Sequence, residues 1–377
     1  MQAGPPDAIE LNRLARVLVV KLRHHGDVLL CSPVFSVLKH HAPHLEVDAL
    51  VYEDTREMLT GHPAIREVHG IGRHWRSLAF GARAGREWRL FKELRARRYD
   101  LIIHLTEHPR GAWLARMLGC RYAVAPGYRN RSRFWRSSFT HRFALPLGGR
   151  RHMVEWNLDA LRRIGVQPEF SERSLVMVSG AEAESQVEHL MKAEGLETGR
   201  FVQLHPASRW SFKCWSAERN AAVVDALAER GERVVITASP DASERAFIKE
   251  ILARCGHAPV DLSGRLSLKG MAALAAKARL FIGVDSAPMH IACAMGTPVV
   301  ALFGPSGELD WGPWSNRAKV VASDRHPCRP CGIDGCGGGK VSDCLAALPA
   351  EPVLAAADAL LRLAGNPVPA AGALLRA

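Results

Sequence analysis

The chain has no apolar run approaching the ~20 residues that a membrane-spanning helix needs. Its first residues, Met1 to Pro6, lack a basic start followed by a continuous apolar stretch. The sequence therefore reads as a soluble, unexported protein. Apolar residues make up 47% and charged residues 23%, and 32 Gly and 22 Pro are spread along the chain rather than massed in repeats. That composition excludes disorder, collagen and coiled coil. Nine cysteines is an odd count in 377 residues, so reduced thiols or ligands are expected rather than a disulfide framework, and the cytoplasm fits.

Acidic residues are scarce in one region only. From Ile71 to Gly165 there are 21 basic and 6 acidic side chains, a net of +15, whereas the whole chain carries +12. Most of the excess is arginine, whose planar fork suits carboxylates and phosphates, and Arg129, Arg131, Arg133 and Arg136 stand close together. An anionic partner is implied, set against the plainer reading of solvated helix faces. No helix-turn-helix, zinc-finger or RNP-type pattern accompanies the basic stretch, so nucleic acid is not the expected partner.

With 377 residues two domains are expected, because single cores stop growing near ~250 to 300 residues. Short apolar runs alternate with helical patterns in both halves, the signature of parallel sheets wound by crossover helices. The first half has runs at 17–20, 47–51 and 101–105, with helical patterns near 33–41, 83–97 and 152–164. A polar turn, Gly165-Val166-Gln167-Pro168, closes that half, and the boundary is set between residues 170 and 171. The second half restarts with runs at 201–204, 233–236, 280–284 and 298–303. Two doubly wound α/β domains facing across a cleft are the expected architecture, with ligands at the strand ends.

Four segments sit where such a fold places chemistry. After the first strand, Asp27 follows a glycine near a strand end, where a carboxylate can take a proton from a hydroxyl or simply satisfy turn donors. Ser32-Pro33 reads as an N-cap and first helical residue. The loop from His205 to Trp215 offers hydroxyl and ammonium donors at Ser208 and Lys213 to a phosphate. Trp210 and Trp215 can stack on a ring, although burial is the commoner use of tryptophan. Glu244 follows the next strand, where an acid binds ribose hydroxyls in nucleotide folds. The segment Gly283-Val284-Asp285-Ser286-Ala287-Pro288-Met289-His290 opens a short helix ending at Met295-Gly296. Its exposed N–H groups suit a pyrophosphate, while Asp285 and Ser286 as caps and His290 as packing are the plainer alternatives. Phe303-Gly304-Pro305-Ser306 makes another tight loop. Cys328, Cys331, Cys336 and Cys344 form the one cysteine cluster. The first pair has zinc-knuckle spacing but the later spacings do not repeat a two-residue hairpin, so a structural metal and free or redox-sensitive thiols both stand as readings and no chemistry is placed there.

These residues together suggest a family. The run from Val17 to Pro33, Lys213-Cys214-Trp215, the Gly283 to His290 segment and Leu302-Phe303-Gly304-Pro305-Ser306 resemble glycosyltransferase family 9, the lipopolysaccharide heptosyltransferases. Asp285-Ser286-Ala287-Pro288-Met289-His290 and Cys328-Arg329-Pro330-Cys331 are most similar to the heptosyltransferase III branch. The resemblance spans about Arg16 to Cys344. It implies a GT-B fold of two Rossmann-like domains, 1–170 holding the acceptor and 171–377 holding the ADP-sugar. It places the catalytic base on Asp27 and the phosphate-binding lysine on Lys213. Ser208, Arg209, Glu244, Leu266, Asp285, Ser286, Ala287 and His290 complete the implied donor site, and Arg23, His24, Arg129 and Arg131 the acceptor site. Ala287 stands where many members have glycine, which bears on how closely that backbone approaches phosphate.

The implied reaction moves heptose from ADP-L-glycero-D-manno-heptose to a heptose of the lipopolysaccharide inner core, with inversion. No metal or other cofactor is expected, since Lys213 and a helix N-terminus can carry the leaving charge and the strand-end motifs lack an Asp-x-Asp pair. The acceptor implies a peripheral enzyme at the cytoplasmic face of the inner membrane. A nucleotide-sugar epimerase and a non-catalytic nucleotide-sugar-binding or polyanion-binding module are the rival readings.

Overall fold

The structure is a computed structural model that describes residues 5–128, 130–145 and 151–364. The chain divides into two compact units, Met1–Val178 and Ser179–Ala377. Each is a six-stranded parallel sheet with helices between its strands.

The first unit runs β1 (Arg16–Lys21), α1 (His25–Leu29), α2 (Ser32–His41), β2 (Glu46–Tyr52), β3 (Glu67–Ile71), α3 (Phe80–Ala96), β4 (Leu101–His104), α4 (Arg110–Leu118), β5 (Tyr122–Pro126), α5 (Arg133–Ser137), β6 (His141–Phe143) and α6 (Met153–Arg162). Its strand order is β3-β2-β1-β4-β5-β6, with every pairing parallel. Helices cover both faces, so the inner strands β1, β2 and β4 read as nearly unbroken apolar runs. Leu18, Val20, Leu50 and Ile102 build one side of the core.

The second unit runs α7 (Ala181–Ala193), β7 (Phe201–His205), α8 (Ala217–Glu229), β8 (Arg233–Ile236), α9 (Ala242–Leu252), β9 (Val260–Asp261), α10 (Leu268–Lys277), β10 (Leu280–Val284), α11 (Ala287–Ala294), β11 (Val299–Phe303), α12 (Glu308–Trp311), β12 (Ala318–Ala322), α13 (Asp343–Ala346) and α14 (Glu351–Ala364). Its order is β12-β11-β10-β7-β8-β9, again all parallel. Both orders are the doubly wound one, which reverses direction beside the first strand of the unit. The switch points lie between β1 and β4 and between β7 and β10, where loops diverge and a ligand finds room.

Five strands lie outside the apolar runs of the sequence: β3, β5, β6, β9 and β12. Four of them are sheet edges. An edge strand is only partly covered, so its residues keep mixed polarity and give no continuous run. The helix expected to begin at a Ser32 cap instead includes Ser32 as its first residue, with Cys31 at the cap position. The Ser32 hydroxyl accepts from the Val176 amide at 3.0 Å, tying the end of the unit back to α2 rather than capping.

One buried charge is fully compensated. Asp48 on β2 accepts from Arg97 Nε at 2.8 Å and from the Tyr99 hydroxyl at 2.7 Å. Arg97 also reaches Glu46 at 2.9 Å. These bonds fix the C-terminal end of α3 to the sheet, and they make an uncompensated partner costly to create by mutation.

No helix among the described residues is long and apolar enough to cross a membrane.

Candidate active site

In the first unit the candidate residues follow β1. Lys21, its last residue, is buried at 2% exposure. Its ammonium donates to Asn157 Oδ1 on α6 at 2.9 Å and to the Leu105 carbonyl at 3.3 Å. Burial lowers its pKa, and the nearby Asp27 carboxylate acts in the opposite direction. Asp27 itself is half-buried in the first turn of α1. Lys21 carries no local mark in the sequence, because a lysine ending an apolar strand looks like its solvent-facing terminus.

A polar pocket of about 310 Å³ opens at these strand ends, and Arg23, His24 and Arg131 all line it. Three of the four expected acceptor residues thus come together, while Arg129 lies outside the described residues. Two further pocket residues, Arg73 and Glu107, were not foreseen. Glu107, just after β4, pairs with Arg23 at 2.9 Å. Arg73, after β3, holds Asp54 at 3.0 Å, donates to the Arg23 carbonyl at 2.8 Å and lies 3.7 Å from the Tyr52 ring centroid. Burial and then the Glu107 charge push the Tyr128 hydroxyl up to about 12, which keeps it a neutral donor. With three arginines against one carboxylate on its wall, the pocket suits an anionic group.

In the second unit the candidates gather at the carboxyl ends of neighbouring strands. β7 leads to Ser208, Arg209 and Lys213, β8 to Glu244, β9 to Leu266, and β10 to Asp285, Ser286, Ala287 and His290. Lys213 Nζ and Asp285 Oδ2 form an ion pair at 2.5 Å, bridging the loops on the two sides of the switch point. Ser286 precedes α11 without capping it, since its hydroxyl donates back to the Val284 carbonyl at 3.2 Å. The capping alternative therefore fails for both Asp285 and Ser286, and the first amides of α11 are not covered by them. Pro288 and Gly296, at φ +75°, bracket this helix as the sequence indicated. His290 is buried at 3% exposure.

The remaining donor residues differ in how fully the fold already engages them. The Ser208 hydroxyl accepts from the Trp210 amide at 3.3 Å, and Arg209 is exposed, 5.5 Å from the Trp210 ring centroid. Glu244 Oε2 accepts from the Ser239 amide at 2.9 Å, a turn-bracing role. Leu266 is half-buried against the core beside α10. The two tryptophans divide: Trp215 is buried and donates to the Leu348 carbonyl at 2.9 Å, whereas Trp210 is 43% exposed.

Among the described residues, two groups bring three possible metal ligands within 4.8 Å: His40, His41 and Glu172, and Asp48, Glu67 and His69. Asp48 is already taken by Arg97 and Tyr99, and neither group includes a residue named above for donor or acceptor. Cys328, Cys331 and Cys336 are exposed and Cys344 is buried, all as thiols.

Residues 87–341 match the family model described as glycosyltransferase family 9 (heptosyltransferase). Lipopolysaccharide heptosyltransferase 3 of Escherichia coli is 38% identical over 299 residues, covering 78% of this chain and 85% of that protein. The solved structure of a family 9 glycosyltransferase from Veillonella parvula superposes with a TM-score of 0.80 at 24% identity, covering 95% of this chain and 99% of that one. Escherichia coli heptosyltransferase WaaC with ADP-2-deoxy-2-fluoro heptose superposes with a TM-score of 0.66 at 21% identity, covering 82% and 93% respectively.

Proposed function

The chain belongs to glycosyltransferase family 9, the heptosyltransferases, and from that premise we propose that it transfers heptose from ADP-L-glycero-D-manno-heptose to a heptose of the lipopolysaccharide inner core. Family membership sets aside the epimerase and the non-catalytic module. The proposed donor is supported by the polar candidates at the strand ends of the second unit and by the ADP-2-deoxy-2-fluoro heptose held in the WaaC structure. The proposed acceptor is supported by the 38% identity to lipopolysaccharide heptosyltransferase 3.

The observation that carries the reading is the Lys213–Asp285 pair at the start of α11. Asp285, two residues before α11, holds the Lys213 ammonium, and a helix start carries unpaired N–H groups, so both kinds of donor are available to a diphosphate at these strand ends. In the proposed reaction Asp27 accepts the proton of an acceptor hydroxyl, whose oxygen attacks the anomeric carbon as the bond to the diphosphate breaks. Attack opposite the leaving group inverts that carbon. Negative charge builds on the departing ADP, and Lys213 with the α11 amides stabilises it. Fixed protein charge of this kind takes the part that a divalent ion plays elsewhere, so the reaction is proposed to be metal-independent.

Glu244, beside the loop that carries Lys213, is assigned to the ribose hydroxyls through the oxygen not used by Ser239. Ser208 and Arg209 flank the phosphates, Ala287 and His290 shape the floor at α11, and Leu266 contributes apolar contact. Arg23, His24, Arg131 and the unforeseen Arg73 are assigned to phosphate groups of the inner core. Such an acceptor is lipid-anchored, and the enzyme is accordingly proposed to work at the inner-membrane surface.

The experiment is ADP release from purified protein, ADP-heptose and a delipidated core oligosaccharide, with the product weighed by mass spectrometry in the presence of EDTA. One added heptose supports the reading. Release only after a metal is supplied removes metal independence, and no release with any heptose-bearing core removes the activity.

A further inference from the structure

Helix α3 is 17 residues long yet buries only Leu90 and Leu94. A surface helix ordinarily covers a broader apolar stripe. Instead, α3 turns apolar side chains outward: Phe80 is 88% and Trp88 55% exposed. Helices α4 and α5 continue the same habit, with Trp113, Met117 and Phe134 all exposed.

Side-chain contacts link the three helices that carry these residues. Arg110 of α4 pairs with Glu87 of α3, its Nη2 2.8 Å from Oε1. Arg95 of α3 donates to the Met117 carbonyl at 3.4 Å. Between α4 and α5 the Trp113 and Phe134 rings lie 4.7 Å apart, and Arg116 donates to Ser137 and Ser138 at 2.8 Å. Across the three helices stand nine basic and two acidic side chains, and one of the acids, Glu87, is neutralised by Arg110. Basic groups sit over the aromatic rings: Lys92 Nζ lies 5.5 Å from the Trp88 centroid and Arg116 Cζ 5.0 Å from that of Phe134.

We propose that the α3–α4–α5 face of the first unit docks on the surface of an anionic lipid bilayer, with Trp88 and Trp113 entering the headgroup layer and the surrounding arginines meeting lipid phosphates. The inference rests on the lipid-anchored acceptor proposed above and names the surface by which the enzyme reaches it. Charge alone would suit any polyanion. The protruding aromatics distinguish a bilayer, since they gain nothing from a water-filled phosphate surface but do gain at the acyl boundary, where long basic side chains extend back to the phosphates. The rest of the chain outside 71–165 has a small acidic excess, so the attraction orients this face toward the membrane.

The test is flotation with vesicles of phosphatidylcholine alone and with phosphatidylglycerol added, at low and high salt. The wild type should float with the anionic vesicles only, and less at high salt. Both the Trp88→Ser/Trp113→Ser and the Arg89→Glu/Lys92→Glu variants should lose roughly tenfold in partition, while melting like the wild type and retaining transfer to the delipidated oligosaccharide. Wild-type protein that stays unbound, variants that float unchanged, or binding to soluble heparin without binding to vesicles would each overturn the proposal. Intact flotation by a protein that transfers no heptose would support the docking face and count against the transferase reading instead.

Discussion

Lys213 and Asp285 are 72 positions apart in the chain, yet the ammonium of one and the carboxylate of the other meet at 2.5 Å. The contact exists because β7 and β10 are parallel neighbours, with Gly283 in register with His205. Their loops therefore leave the sheet side by side and turn to opposite faces at the switch point. A lysine fixed by an acid, rather than waving in solvent, meets a diphosphate with little reorganisation.

Replacing Lys213 with Ala is expected to lower kcat by about 10² to 10³-fold, the scale of losing one preorganised charge at a leaving group. Asp285→Asn should cost less, because the ammonium remains but loses its orientation. Initial rates of ADP release decide the matter, and a Lys213→Ala enzyme within twofold of wild type would remove the lysine from the mechanism.

Asp27→Asn keeps the shape of the first turn of α1 and removes the proton acceptor. Transfer should fall by at least about 10²-fold, with ADP-heptose affinity by calorimetry nearly unchanged. Loss of donor affinity equal to the loss of rate would point to a structural Asp27.

Gly283 is a third point of leverage. A Cβ there would lie 2.9 Å from the His205 carbonyl oxygen and 2.8 Å from Phe281, so Gly283→Ala must push β10 away from β7. The expected cost is about 1 to 3 kcal/mol of stability, accompanied by a fall in kcat as the Lys213–Asp285 contact is stretched. Denaturant midpoint and turnover are measured together, and an unchanged midpoint would show that the strands yield without strain.

Three buried histidines set the response to acid. Burial lowers His104 to about 3 and both His62 and His205 to about 4, from an ordinary 6.5. Between those values the unfolded chain binds more protons than the folded one, so stability is complete above about pH 6.5 and falls as the pH drops toward 4. Each histidine contributes up to about 1.4 kcal/mol per pH unit in that window. The melting temperature should therefore be clearly lower at pH 5 than at pH 7, and equal values would mean that these rings are hydrated in solution.

The inner strands were legible because each is buried on both faces and so must be apolar from end to end. The outermost strands were not, and the polar β6, His141–Phe143, could not be told from a loop. Asp27, Lys213 and Asp285 stood out as polar residues just past apolar strands. Lys21 did not, since only its bonds to Asn157 and the Leu105 carbonyl show that it is buried. Arg73 and Glu107 likewise had no local mark, being one arginine and one acid in a region full of charge.

What the sequence determined by itself is the alternation of strand and helix, the location of polar residues at strand ends and the basic character of residues 71–165, because each follows from the chemistry of a few adjacent positions. Tertiary structure alone decided the strand order, and with it that Lys213 bonds to Asp285, that Arg23 and Arg131 share a pocket, and that side-chain contacts link the three helices carrying the exposed aromatics. Those contacts join residues far apart in the chain, and their partners are chosen by how the sheets and helices pack rather than by any local pattern.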